Sequence, residues 1–358
     1  MTQRRRTDRR PHETVVRSEP ATTHLEESSD DFLDMIRGRF SETDQHTMRR
    51  LDAVKAEYVA SGKDRRVTEA ITMFLRHVLS RKTGERQEGG ALIFSGESGV
   101  GKSSSIARAL SRLPQVAPVQ TSFGEVRPFV SIRLQGPTTL KLVGKRILDQ
   151  AGYPFRRNID QGDLWDMLPE QLHHRRIFLV HIDEVQHIIR ETAKEKARKD
   201  LADAIKDVMN YEPWPISFIL SGMPIAAKLA RDEQIERRCS LVELPPLRAP
   251  HELPLVGKVL RQLCRAGELD CEDIDTPAML ERIAHAANYR FGRVCQVVVD
   301  AIHVAVSEEA ACLDRDHFAE AFRNACHAYE IDEKNPFLAD DFRSLPPGLY
   351  FPDKEKSR

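Results

Sequence analysis

A glycine-rich segment between a short apolar run and a helical pattern has the residue types that bind phosphate. Residues 91–94 are apolar, and residues 96–103 read GESGVGKS, which fits the pattern GxxxxGK followed by Ser or Thr. Glycines let backbone N–H groups turn around a phosphate, and the following helix directs its positive end at the anion. Lys102 would supply charge at the β- and γ-phosphates of ATP, and the Ser103 hydroxyl would ligate Mg²⁺. The predicted nucleotide contacts in this segment are Gly96, Glu97, Ser98, Gly99, Val100, Gly101, Lys102, Ser103 and Ser104.

An acidic pair follows a second apolar run. Residues 177–182 are mostly apolar and end in Asp183 and Glu184, which is typical of a strand that carries the metal-binding and catalytic carboxylates of an ATPase. Asp183 could hold hydrated Mg²⁺, and Glu184 could accept a proton from the attacking water. The spacing from the phosphate loop favours this interpretation over a solvent-exposed acidic turn. We interpret His181, inside the run, as a hydrogen-bonded polar residue of the sheet rather than a ligand.

Four further residues are candidates for the same reaction. Ser221 follows the apolar run 216–220, and in a parallel sheet it would lie beside the acidic pair and orient the water or the γ-phosphate. Arg237 and Arg238 precede the next run and could complete a neighbouring subunit's site in trans, although a plain surface pair is the alternative. Arg293 opens an apolar helix and is predicted to face the nucleotide, with a surface arginine as the alternative.

The periodicity of the chain predicts an α/β protein. Short buried strands at 91–94, 129–134, 177–182, 216–220 and 241–244 alternate with helical segments, which indicates a mostly parallel five-stranded sheet covered on both faces. After residue 250 only helical periodicity remains, at 251–266, 277–287, 293–307 and 315–329. The predicted divisions are a disordered Arg-rich arm (1–30), a helical lead-in (31–85), an α/β core (86–249), a helical lid (250–330) and an extended tail (331–358).

Composition narrows the class of protein. The 358 residues include 54 Lys and Arg against 55 Asp and Glu, so a global positive field for nucleic acid is excluded. No apolar stretch reaches the roughly 20 residues of a membrane helix, and no apolar run follows the N-terminal arginines as in a secretory signal. We therefore expect a cytoplasmic protein without a membrane partner. The six cysteines have no metal-ligand spacing and are interpreted as reduced thiols.

Any DNA binding must therefore come from local basic clusters. Lys141 and Lys145 lie one helical turn apart with Arg146 adjacent, after the second strand. A second basic stripe is formed by Arg190, Lys194 and Arg198, with acidic residues on the neighbouring stripe. A solvated helix face remains the alternative for both clusters.

The order of these motifs resembles that of the AAA+ ATPases, over about residues 60–330: Walker A, Walker B, sensor 1, arginine finger and a helical lid with sensor 2. The strings GESGVGKSS, VHIDEVQHI, FILSGMP, ERRCSLVELPPL, FGRVCQVVVDAI and KNPFLADDF are similar to the TniB/TnsC-type transposition ATPases. The resemblance implies an AAA+ P-loop fold and an ATPase that forms a ring or filament of identical subunits on double-stranded target DNA. It also implies recruitment of a DDE-type transposase (TniA/TnsB-like), with a TniQ-like target selector as a further candidate partner, and release on ATP hydrolysis.

Two other functions stay open. A replication initiator or helicase loader would share nearly all these motifs, but initiators usually append a winged helix, for which the 29 residues after the last lid helix are too few. A nucleotide-gated scaffold in signalling or secretion, without DNA binding, is the other alternative.

Overall fold

The computed structural model describes residues 29–82, 84–86, 88–122, 124–153, 159–188, 194–233, 235–326 and 332–351. The predicted Arg-rich arm lies almost entirely outside these ranges, as does Arg190. The chain divides into two units, Met1–Met48 and Arg49–Arg358. In the first unit, the Gln45 side-chain amide donates to the Phe40 carbonyl (2.9 Å), which closes the turn after the first helix.

The described residues form helices and strands as follows. The helices α1 to α11 are Ser29–Arg37, Glu42–Ala56, Gly62–Leu79, Lys102–Arg112, Leu140–Gln150, Gln161–His174, Lys194–Met209, Leu253–Ala266, Pro277–Ala286, Phe291–Ser307 and Arg315–Cys326. The strands β1 to β9 are Arg81–Lys82, Glu85–Arg86, Ala91–Ser95, Val119–Thr121, Gly124–Val126, Phe129–Arg133, Leu179–Asp183, Ser217–Gly222 and Cys239–Glu243. Among the helices that are described, none has the length and apolar content to cross a membrane.

Five strands form one parallel sheet in the order β6-β7-β8-β3-β9. Each predicted apolar run contributes one of these strands, so the predicted five-stranded α/β fold is confirmed. The hairpins β1–β2 and β4–β5, which are two or three residues per strand, were not predicted. Because β7, β8 and β3 are consecutive and parallel in this sheet, their carboxyl ends lie at one edge of the sheet, where ligands bind in α/β folds.

Helices cover both faces of the sheet. In β3, Ala91 and Ile93 point into a core shared with α5, α6 and α7, while Leu92 and Phe94 point into a second core shared with α3 and α4. A strand covered on both faces has no position that faces solvent, which explains why β3, β7 and β8 are buried at every residue.

A third core lies in the C-terminal helices. Residues of α8, α9, α10 and α11 pack together around Val259, Ile283, Val298 and Phe318. Thr276 caps α9 through its side chain, which accepts from the Met279 backbone N–H. These four helices form the helical lid of the fold.

The prediction of an extended C-terminal tail is wrong for residues 332–351. Phe337 and Tyr350 are buried, and Phe337 packs on Phe318 of α11 with ring centroids 5.2 Å apart. The buried Asn335 amide donates to the Ala319 carbonyl (3.0 Å). Regular structure in this segment is limited to two short 3₁₀ turns, but its aromatic side chains bury enough apolar surface to hold it on the lid.

Candidate nucleotide-binding site

The phosphate loop connects β3 to α4. Gly99 and Gly101 have φ values of +80° and +96°, which side-chain-bearing residues rarely adopt, and Gly101 is the N-cap of α4. A glycine cap offers no side-chain acceptor, and none bonds the first-turn amides of this 11-residue helix. The amides are therefore oriented for an external anion, so the loop fits a phosphate group.

Lys102 is buried at the start of α4, with its ammonium turned back over the loop. Its Nζ donates to the carbonyls of Gly96 (2.8 Å) and Glu97 (3.0 Å). Burial lowers the pKa of Lys102, while the carboxylates of Glu184 and Asp183 act in the opposite direction. An anion beside this ammonium would offset its desolvation cost, which is what a phosphate-binding lysine requires. Ser103 is half-buried and Ser104 exposed in the same helical turn.

The acidic pair lies at the carboxyl end of β7. The Asp183 side chain is buried, and its Oδ1 accepts from the Glu184 backbone N–H (3.0 Å). Glu184 has left-handed backbone angles (φ 63°, ψ 43°), which turn the chain sharply out of the strand. Carboxylates are ligands that Mg²⁺ prefers, so Asp183 together with the Ser103 hydroxyl fits a magnesium ion.

Arg133 is a residue of this site that sequence reasoning missed. It ends β6 and pairs with Asp183 in the sheet register. Its Nε lies 3.7 Å from Asp183 Oδ2, and its Nη2 lies 4.0 Å from Glu184 Oε1. Because the Arg133 side chain is 65% exposed, solvent weakens these pairs, and a bound phosphate could compete for the guanidinium.

Ser221 belongs to a buried hydrogen-bond chain. Ser221 Oγ donates to Asp183 Oδ1 (2.5 Å), so its single proton is used there. His181 Nε2, 3.3 Å from Ser221 Oγ, must then donate, and His181 Nδ1 accepts from Ser131 Oγ (2.8 Å). Burial lowers the pKa of His181 to about 4, which keeps the ring neutral, as this chain requires. The interpretation of His181 as a hydrogen-bonded residue of the sheet is confirmed.

Two lid arginines lie against the phosphate loop. The backbone N–H of Arg293 donates to the Gly99 carbonyl (3.2 Å), and its guanidinium lies 4.9 Å from the centre of the Phe351 ring. Arg290, which was not singled out from the sequence, is buried, and its guanidinium reaches Ser98 O and Glu97 Oε2, both at 3.3 Å. The lid therefore places a second cation beside the loop, three residues before the predicted one.

A cavity of about 310 Å³ adjoins the same loop. Its wall is formed by Tyr58 and Val59 from the lead-in, Ser104 from α4, and Phe291 and Cys295 from α10. A largely apolar cavity next to a phosphate site has the character that a nucleoside base requires. Sequence reasoning missed it because its walls come from three separate parts of the chain.

Comparison with protein families identifies this region. Residues 85–230, which carry the phosphate loop, the acidic pair and Ser221, match the family described as AAA domain. This segment of the chain is therefore similar to an AAA domain. No curated protein sequence matches the chain significantly.

Solved structures of other proteins have the same fold as this chain. Aeropyrum pernix ORC1, solved in complex with DNA, has a TM-score of 0.54 and 18% identity, covering 77% of this chain and 69% of that one. The Pyrobaculum aerophilum Cdc6p structure has a TM-score of 0.54 and 12% identity, with coverages of 76% and 70%. The Aeropyrum pernix ORC2 structure, in ADPNP and ADP complexes, has a TM-score of 0.50 and 18% identity, covering 75% of this chain and 70% of that one. The fold is that of AAA+ P-loop NTPases.

Outside the candidate nucleotide site, the predicted DNA contacts lie on α5. Thr139 caps this helix through its side chain, which accepts from the Leu142 backbone N–H (3.3 Å). Lys145 is exposed, Lys141 and Arg146 are half-buried, and Arg146 Nη1 is a buried atom without a hydrogen-bond partner. In the second basic stripe, Arg198 is paired with Asp232 (3.3 Å), which removes it as a free phosphate contact.

Proposed function

We propose that this protein is an ATP-dependent regulator of DNA transposition. It assembles as a ring or filament on double-stranded target DNA, recruits a DDE-type transposase or a TniQ-like selector, and disassembles when ATP is hydrolysed. The observation that carries the ATPase part is the buried Lys102 ammonium, hydrogen-bonded to the loop carbonyls at the edge of the sheet where Asp183 and Glu184 lie at the end of β7. The TniB/TnsC-like strings support the transposition part, and a cytoplasmic location belongs to the same proposal.

Each part of the site has a role in this proposal. The loop amides and Lys102 bind the triphosphate, and the cavity beside Tyr58 takes the base. Ser103 and Asp183 hold Mg²⁺, which would neutralise charge on the phosphates when bound. Glu184 accepts the proton of the attacking water, while Ser221 keeps Asp183 in place through its hydrogen bond.

Lys102→Ala is expected to weaken ATP binding about 10- to 100-fold, since a charged hydrogen bond contributes about 1.5–3 kcal/mol. Equilibrium titration with a fluorescent ATP analogue measures the change. Lys258→Ala removes a lysine whose ammonium donates to the Ala60 carbonyl, outside the candidate site, and serves as the matched control. An unchanged Kd in Lys102→Ala would contradict the assignment of the phosphate loop.

Duplex binding tests the DNA part of the proposal. With a non-hydrolysable ATP analogue, the protein should bind duplex DNA with little sequence preference, and affinity should fall steeply as salt rises. One subunit offers few phosphate contacts, so binding depends on an assembly that repeats them along the duplex. Lys141→Glu/Lys145→Glu should weaken binding at least about tenfold and reduce the salt slope by about one per lost phosphate contact.

The control carries the same charge change at another exposed site, Lys228→Glu/Arg231→Glu. Binding that needs no nucleotide, or that ignores both salt and the α5 substitutions, favours the scaffold without DNA. A transposase supplied with the ATP-bound protein should give strand transfer that the α5 variant does not support.

A second candidate is a replication initiator or helicase loader, favoured by the shared fold with ORC1 and Cdc6p. An initiator is expected to prefer its origin sequence over random duplex at equal length and salt. Competition between random duplex and candidate origin DNA therefore separates the two. Strong preference for one sequence would replace the transposition proposal.

A further inference from the structure

Gln186 connects the ends of two strands that carry the site. It lies in the 3₁₀ turn Val185–His187, directly after the acidic pair. Its side-chain Oε1 accepts from the Met223 backbone N–H (3.1 Å), just beyond the carboxyl end of β8. Its Nε2 donates to Glu184 Oε2. One side chain therefore connects the carboxylate after β7 to the backbone after β8.

The orientation of the Gln186 amide is forced by its two partners. A backbone N–H can only donate, so it must meet the amide oxygen, and an ionised carboxylate can only accept, so it must meet the amide nitrogen. A flipped amide would lose both bonds. Gly222 also closes the space on this side, since a Cβ there would lie 2.7 Å from Gln186 Oε1.

We propose that Gln186 is a positioning residue for ATP hydrolysis, an inference that rests on the proposed ATPase function. It holds the Glu184 carboxylate by Oε2, so that Oε1, with the exposed Arg133 guanidinium 4.0 Å away, accepts the proton of water. A glutamate side chain has three rotatable bonds, and the left-handed backbone at Glu184 directs it away from the strand. Without the amide, the carboxylate samples orientations in which Oε1 does not meet the water.

The Gln186 amide also connects Glu184 to the end of β8, the strand whose Ser221 hydroxyl bonds Asp183. Met223 is two residues after Ser221, whose hydroxyl bonds Asp183. Both carboxylates are therefore anchored to the end of β8, one through a side-chain hydroxyl and the other through a backbone amide. This arrangement fixes the position of Asp183, the proposed metal ligand, relative to Glu184, the proposed general base.

Two substitutions separate the bonds. Gln186→Leu removes both, and Gln186→Glu keeps an acceptor for Met223 but loses the donor to Glu184. Both should lower kcat about 10- to 100-fold, because misplacement by about 1 Å costs on the order of 10²-fold. KM for ATP, nucleotide Kd and melting temperature should stay near wild type. Gln115→Leu, at an exposed position, is the matched control.

A double-mutant cycle distinguishes positioning from a structural role. If Gln186 acts only through Glu184, Gln186→Leu should have no further effect on single-turnover rates in a Glu184→Gln background. An equal loss in both backgrounds, or wild-type kcat in both Gln186 variants, overturns the inference while the ATPase assignment stands. If Glu184→Gln itself turns over at the wild-type rate, the proposed catalytic function fails and this inference fails with it.

Discussion

Glu184→Gln should retain ATP binding and lose hydrolysis by about 10²- to 10⁴-fold, the usual contribution of a general base. The amide has nearly the size of the carboxylate but cannot accept the proton of water at neutral pH. Asp183 keeps its bonds to Ser221 and to the backbone of residue 184, so the carboxylate that we propose binds Mg²⁺ is unaffected. Binding should therefore be separated from chemistry by this single change.

Phosphate release under steady-state conditions measures the loss, and titration with a fluorescent ATP analogue measures the retained affinity. The matched control is Glu233→Gln, an exposed glutamate that makes the same change in charge. A wild-type rate in Glu184→Gln would show that another group accepts the proton. Loss of both binding and hydrolysis would instead indicate that Glu184 supports the loop.

The parts of the site that the sequence predicts are those encoded by neighbouring residues. The phosphate loop begins directly after β3, and the acidic pair lies at the end of β7. Each motif therefore supports the prediction of the strand that leads into it. Parallel strands bring such ends to one edge, so the motifs that follow β3 and β7 lie at the same edge of the sheet. The five-stranded sheet followed from the same alternation of short apolar runs and helices.

The parts that were missed depend on which strands become neighbours. Arg133 meets Asp183 only because β6 lies beside β7, and nothing local in residues 129–134 encodes that order. Arg290 reaches Glu97 only when the lid packs on the loop, since the two residues are far apart in the chain. The packing of segment 332–351 was not predicted, because its buried aromatic residues Phe337 and Tyr350 belong to no regular helix or strand.

The two arginines before β9 are a further case in which the structure adds to what the sequence predicts. Arg237 and Arg238 are adjacent and identical in type, so the sequence could not separate them. The structure does: Arg238 is paired with Glu88 and donates to the Asn210 side chain, both within its own subunit. Arg237 is exposed and, within the described residues, makes no ion pair or side-chain hydrogen bond. Arg237 is therefore the better candidate to act on a neighbouring subunit.

Arg237→Ala is expected to lower ATP hydrolysis about 10³-fold or more, because an arginine supplied in trans stabilises the charge of the transition state. Folding and nucleotide binding by the single subunit should not change, since Arg237 makes no ion pair or side-chain hydrogen bond with another described residue of its own chain. Arg238→Ala is the matched control and should instead lower the melting temperature, because Glu88 and Asn210 lose their partner. The reverse pattern would assign the role to Arg238.

Mixing two inactive variants tests whether Arg237 acts in trans. An Arg237→Ala subunit has an intact site but lacks the finger, while a Glu184→Gln subunit retains nucleotide and Arg237 but lacks the general base. In a random equal mixture of a head-to-tail assembly, roughly a quarter of the interfaces would join an intact site to an intact finger. Hydrolysis should then rise well above either variant alone and peak near equal proportions. An assembled mixture that stays inactive at every ratio would place Arg237 outside the neighbouring site.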